Sequence, residues 1–207
     1  MIELLIGTHN RHKTEEISKL LINLPLKVKD LSEFPHVQPI EEDGKTLLEN
    51  AVKKAKSYGT MANLLCMADD TGLEVEALNG EPGVYSARYA GEHCSYQDNN
   101  AKLLKALAQI QNGKKPNRKA VFKTVIALFD PAHKNLETTE GAVEGEIMAV
   151  PRGKNGFGYD PVFYVTALKK TSAEMTLEEK NRSSHRAIAV QKMKEILERK
   201  IGLEVKV

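Results

Sequence analysis

Two short segments of this 207-residue chain hold the residue types best suited to chemistry. In Ala68-Asp69-Asp70-Thr71-Gly72, adjacent carboxylates follow the apolar run from Leu64 to Met67. Carboxylate oxygens hold hard cations such as magnesium, and a carboxylate beside such a cation can take a proton from water. In Asn155-Gly156-Phe157-Gly158-Tyr159-Asp160-Pro161, glycines give a loop freedom, an aromatic ring offers a stacking surface, and an acid can fix a polar group. A loop that can hold a base and an acid pair that can hold a metal are the requirements of nucleotide chemistry. Each segment also has a plain structural reading. Asp-Asp-Thr-Gly is a good turn sequence, and an aromatic turn can simply pack a loop.

Other charged groups stand where phosphates would need them. Gly7-Thr8-His9-Asn10-Arg11-His12-Lys13 falls at a strand-to-helix junction, where unpaired backbone N–H groups and Lys13 would form an anion cradle. Thr8 or Asn10 could equally serve only as a helix cap. The chain contains no GxxxxGK[ST] motif, so this is not a P-loop. Glu41-Glu42-Asp43-Gly44 precedes a second helix, where acids either favour the helix dipole or ligate magnesium. Lys53-Lys54 on that helix reads alone as a solvated face. Glu179-Lys180 and Ser184-His185-Arg186 are more pointed. Behind a Ser184 cap, two basic residues in a first helical turn oppose the dipole and call for an anion or an acidic partner.

The elements that must position these groups alternate. Ile2–Gly7 reads as a strand, Arg11–Leu24 and Lys45–Met61 as amphipathic helices, and Leu64–Ala68 as a buried strand followed by alternation at Leu73, Val75 and Ala77. Asn79–Glu92 is a loop by its glycines and proline. Ser95–Gln111 is a helix capped by Ser95. Lys119–Asp130 and Asn135–Val150 form a hairpin, Val162–Val165 is a strand, and the last helix turns Ala189, Met193, Ile196 and Leu197 inward. This order predicts an α/β fold with a central sheet flanked by helices, in one domain spanning residues 1–207.

Composition narrows the class. Thirty basic and 28 acidic residues give a net charge of +2, with no global pull toward nucleic acid or membranes, so anion binding must be local. The two cysteines, Cys66 and Cys94, lack zinc or disulfide spacing. The N-terminal strand is too short and too acidic for a signal peptide, and no apolar run reaches membrane length, so the expected location is the cytoplasm.

Taken in order, the motifs resemble the inosine triphosphate pyrophosphatase family, enzymes that hydrolyse non-standard purine nucleoside triphosphates. The segments are Thr8-x-Asn10-x-x-Lys13, Glu41 through Gly44, Glu49-Asn50-Ala51-x-x-Lys54-Ala55, Ala68 through Leu73, Pro82 through Tyr89, Gly156 through Pro161, and Lys180 with Ser184-His185-Arg186. Each is weak alone, and the ordered set is specific.

The resemblance implies roles. Thr8, His9, Asn10, Arg11, His12 and Lys13 would cradle the phosphates, with Lys54 and Lys180. Glu41 and Asp70 would hold Mg2+, with Glu42 an open alternative to Glu41, and Asp70 would also be the catalytic base. Thr71 stands at a substrate-contacting position where serine is usual. Phe157, Gly158, Tyr159 and Asp160, with His185 and Arg186, would receive the base. The chain departs from the family pattern at His9 and at Lys154-Asn155. The implied activity is magnesium-dependent cleavage of ITP, dITP and XTP to the monophosphate and pyrophosphate. The implied fold is a mixed, twisted sheet in an elongated, two-lobed domain with a cleft, assembled as a homodimer. One alternative keeps the chemistry and changes the base, as in Maf-like pyrophosphatases; another is a nucleotide sensor without turnover, against which the intact acid pair argues.

Overall fold

The computed structural model describes residues 2–110 and 117–202. In chain order its principal elements are β1 (Ile2–Ile6), α1 (Arg11–Leu21), β2 (Leu26–Asp30), α2 (Leu47–Ala62), β3 (Leu65–Val75), β4 (Pro82–Gly83), α3 (Tyr96–Gln109), β5 (Lys119–Asp130), β6 (Asn135–Ile147), β7 (Phe163–Val165), β8 (Lys170–Thr171), α4 (Leu177–Ser183) and α5 (His185–Ile201). The expected helix end at Gln111 lies outside the described residues.

The chain divides into two compact units. One comprises the described residues up to Asp70, Thr124–Gly141 and those from His185 onward; the other comprises the described residues of Thr71–Lys123 and Ala142–Ser184. The sheet is mixed, as expected of this α/β fold. In the first unit β1 lies parallel to both β2 and β3, with β5 and β6 following in hydrogen-bonded order. In the second unit β4 pairs antiparallel with β3, while β7 pairs antiparallel with β6 and β8 with β7.

Side-chain alternation along the strands sorts the first unit's helices onto two faces. Leu4, Ile6 and Met67 pack with Ile17 and Leu21 of α1 and with Ala189, Val190, Met193 and Leu197 of α5. The residues between them face the other way. Leu5 and Cys66 meet Tyr58 of α2, and Ala68 meets Ala51 and Ala55. The second unit has its own core, in which Leu103 and Leu107 of α3 join Leu73, Val75, Phe122, Tyr159 and Phe163. Burying each such aliphatic or aromatic side chain contributes roughly 1.5–3 kcal/mol.

Several boundaries differ from expectation for local reasons. Helix α1 stops at Leu21 rather than Leu24, because Leu24 precedes Pro25 and a residue before proline avoids helical geometry. Thr46 caps α2, accepting the Glu49 amide at 3.1 Å, so this helix starts at Leu47. β3 ends at Val75, where a 3-10 turn takes Glu76–Leu78. It also runs unbroken through Asp69-Asp70-Thr71-Gly72. The acid pair thus sits inside a strand and not in a turn at its end.

Candidate active site

Within β3, consecutive side chains leave the strand on opposite faces. Asp69 therefore points with Met67 toward α1 and α5, and Asp70 points with Ala68 toward α2. The two carboxylates meet different chemistry.

Asp69 is fully buried. Its Oδ2 lies 3.1 Å from Lys13 Nζ on α1 and accepts a hydrogen bond from Arg186 Nε on α5 at 3.3 Å. Arg186 also pairs with Glu16, itself buried. Burial disfavours the charged form of Asp69, but Lys13, Arg186 and Lys54 prevail and hold its carboxyl well below the usual range. Burial pulls Lys13 below its ordinary value, against the opposing influence of Asp69.

Asp70 is nearly as deep. Its Oδ2 accepts from Asn50 Nδ2 at 3.1 Å, and its Oδ1 lies 3.3 Å from Lys54 Nζ. Lys54 simultaneously reaches Glu42 Oε1 at 3.0 Å. Burial raises the Asp70 pKa and outweighs the attraction of Lys54 and Lys13. Lys54 is raised, because the pull of Asp70 and Glu42 exceeds the cost of its burial. Asn50 also accepts the Gly44 amide at 2.8 Å, so one carboxamide ties the acidic loop to Asp70. A Cβ on Gly44 would stand 2.5 Å from Asn50 Oδ1, a contact only glycine avoids.

This arrangement separates the two adjacent glutamates. Glu42 shares a lysine with Asp70, whereas Glu41 is exposed. Lys54 therefore ties Glu42 to Asp70 and leaves Glu41 exposed beside it. Among the described residues, no group of three or more His, Cys, Asp and Glu stands together as a metal cage. Two carboxylates converging on one cationic group suit magnesium, which binds through one or two carboxylates and takes its remaining oxygens from water and phosphate.

At the strand-to-helix junction the capping reading holds. The Asn10 side chain accepts the His12 and Lys13 amides at 3.1 and 3.4 Å, and the Asn10 amide donates to Thr8 Oγ1 at 3.2 Å. His9, Arg11 and His12 are exposed, while Lys13 turns inward to Asp69. The basic first turn of α5 has its acidic partners too: for Arg186 they are Asp69 and Glu16, within the protein itself. Arg186 is thus an internal ion-pair member, and His185 beside it is buried.

In the second unit the aromatic loop is held from within. Asp160 Oδ2 accepts the Phe157 amide at 2.8 Å and Lys180 Nζ at 2.7 Å. Lys180 lies 5.3 Å over the Phe157 ring. Lys180, expected at the phosphates, thus meets both Asp160 and the Phe157 ring in this loop. Gly156, at φ +73°, could not carry a Cβ without striking Asp160 Oδ2 at 2.0 Å. Phe157 is half-buried, whereas Tyr159 is core: its ring packs on Phe122 and its hydroxyl donates to Ser86 O at 2.9 Å. Thr71 is half-buried, and Leu73 next along β3 donates its amide to Ser86 Oγ at 2.9 Å.

Sequence reasoning assigned no role to Glu16, Asn50 or Asn100. The available signal was asparagine or glutamate at positions that helical spacing turns inward, where an unpaired polar group is costly.

A model of the Ham1 family matches residues 4–196. A protein of Thermoanaerobacter pseudethanolicus named dITP/XTP pyrophosphatase is 51% identical over 193 residues, covering 93% of this chain and 95% of the relative. The solved structure of a HAM1 protein from Coxiella burnetii is 40% identical with a TM-score of 0.87, covering 96% of this chain and all of the other. The Staphylococcus aureus Ham1 protein is similar at 40% identity and a TM-score of 0.83, covering 96% of this chain and 99% of its own.

Proposed function

Given that this chain belongs to the Ham1 family, we propose that it is a pyrophosphatase of non-standard purine nucleoside triphosphates, acting on ITP, dITP and XTP. The observation that carries this reading is the buried Asp70 carboxylate on Lys54, a lysine that also reaches the Glu41-Glu42 loop at Glu42. Asp70 with Glu41, or with Glu42 in its place, would hold magnesium, which when bound neutralises phosphate charge. Asp70, whose hold on a proton burial strengthens, accepts a proton from the water that attacks the α phosphorus. The bond from that phosphorus to the bridging oxygen breaks, and pyrophosphate leaves with the nucleoside monophosphate as the other product. Lys54 and Lys13 supply positive charge for the leaving group, and Thr8 and Arg11 flank the entry to α1 where phosphate oxygens are received. Phe157 stacks the base in a loop that Asp160 and Lys180 hold in shape. Thr71, directly after Asp70, contacts substrate through its hydroxyl. The protein is proposed to work as a cytoplasmic homodimer; among the described residues no helix is long and apolar enough to cross a membrane.

The test is incubation with ITP, dITP, XTP, GTP and ATP, with and without magnesium, followed by product identification. ITP should give IMP and pyrophosphate, and chelation should stop turnover. IDP with orthophosphate would contradict the cleavage site. Comparable efficiency on ATP and ITP would contradict the substrate class.

A further inference from the structure

Helix α3 reaches the aromatic loop with two side chains that the proposed chemistry leaves unused. Tyr96 opens the helix and Asn100 follows four residues later, so both project from one face. The Tyr96 ring lies 6.0 Å from the Phe157 ring, tilted by 44°. Asn100 Nδ2 donates to the Gly158 carbonyl at 3.0 Å. Consecutive loop residues are thus gripped by one helix, the first through its ring and the second through its peptide.

The grip is rigid at its base. Ser95 and Asp98 form a reciprocal cap: Ser95 Oγ accepts the Asp98 amide at 3.1 Å, and Asp98 Oδ2 accepts the Ser95 amide at 2.8 Å. Tyr96 therefore sits in a closed first turn and not in a frayed end. Asn100 is buried, which makes its carboxamide a fixed donor. Tyr96 is 39% exposed, a poor position for a ring whose only purpose is to fill a core. Gly158, at φ +62°, has open space around its absent side chain, so its peptide needs an external hold to keep one orientation.

We propose that Tyr96 and Asn100 are positioning residues for the purine: they fix the Phe157 ring and the Gly158 peptide in the geometry that receives the base. This rests on the reading that the Phe157 loop takes the base. A ring held in place before binding loses less freedom when the base arrives. Releasing it should therefore weaken nucleotide affinity far more than it slows hydrolysis, whose acid and cations lie in the first unit.

The experiment compares Tyr96→Ala, Tyr96→Phe, Asn100→Leu and Phe157→Ala with the unaltered protein. KM and kcat are measured on ITP, IMP affinity by titration calorimetry, and folding by thermal unfolding. Tyr96→Ala should raise KM about threefold to tenfold, the scale of one lost aromatic pair, with a parallel loss of IMP affinity and a much smaller change in kcat. Tyr96→Phe keeps the ring and should restore both values. Asn100→Leu strips the Gly158 carbonyl of its side-chain donor and should raise KM about tenfold or more. If Phe157→Ala raises KM while Tyr96→Ala and a folded Asn100→Leu keep normal KM and IMP affinity, the proposal is overturned and the loop reading survives. A fall in kcat at unchanged KM overturns it as well. If Phe157→Ala itself leaves KM unchanged, the loop reading fails and takes the inference with it. Should Asn100→Leu not fold, the exposed Tyr96→Ala decides the matter alone.

Discussion

Asp69 and Asp70 are consecutive on one strand, yet the regions around them differ in kind. Around Asp69 the charges alternate: Lys13 and Arg186 flank it, and Glu16 pairs with Arg186. Around Asp70 the set stays open. Asn50 and Lys54 cover the carboxylate, and Lys54 hands the charge on to Glu42, whose side chain is 35% exposed. The electrostatics diverge accordingly: the cations around Asp69 hold its carboxyl well below the ordinary range, whereas burial raises Asp70 from its usual value. The cause is the alternation of a strand, which sends neighbours to opposite faces and so to different helices. The Asp69 ion pairs tie α1 and α5 to the sheet, while Asp70 shares Lys54 with the half-buried Glu42.

The contrast is broken most severely at Asp69. Asp69→Asn leaves Lys13 and Arg186 facing Glu16 with one buried negative charge removed. Loss of one partner from such a network should cost about 3–5 kcal/mol of stability, measured by urea unfolding. A cost under about 1 kcal/mol would mean that the network does not brace the fold.

Gly44→Ala probes the open side. Its Cβ would meet Asn50 Oδ1 at 2.5 Å and Glu49 Cβ at 2.9 Å, forcing the carboxamide away from Asp70. Overpacking of this sort costs about 1–3 kcal/mol, and turnover should fall roughly tenfold as Asp70 loses its Asn50 donor. An Ala variant with normal turnover would free Asn50 of any part in setting Asp70.

Acid titration of the metal-free protein sharpens the comparison further. Because the folded pKa of Asp69 is depressed, its contribution to stability is present above the unfolded value, about 3.9, and is lost as pH falls through the folded one. For Asp70 the folded pKa is raised, so its ionisation costs stability at neutral pH and the cost fades on acidification. Unfolding free energy below about pH 4 should therefore decline more steeply in the unaltered protein than in Asp69→Asn. Parallel curves would remove Asp69 from the account of acid stability.

How far the sequence revealed this division depends on the element. The periodic helices and the β5–β6 hairpin were legible because one face of each is apolar at a fixed spacing. The short elements β2, β8 and α4 were not, whereas β1 and β7, no longer than β2, showed as runs dominated by apolar residues. The turn reading offered for Asp69-Asp70-Thr71-Gly72 gave way to an unbroken strand, with ion pairs on both faces against the local preference of Asp and Gly. The misplaced cations at the start of α5 did signal an acidic partner. Only the fold could show that for Arg186 this partner was Asp69 with Glu16. Glu41 and Glu42 are indistinguishable in sequence, whereas in the fold Lys54 pairs with Glu42 and Glu41 is exposed. The contacts of Tyr159 with Ser86 and Phe122 could not be read from sequence, because they join segments far apart in the chain.

The division of labour between the two aspartates stands or falls on the turnover of Asp70→Asn with ITP and magnesium. The substitution keeps the shape of the side chain and leaves the Asp69 network intact, so the protein should fold normally. Turnover should drop by about two orders of magnitude or more, because both the base and a metal-holding charge are gone. Near-normal turnover in folded Asp70→Asn would contradict the account and move the chemistry elsewhere.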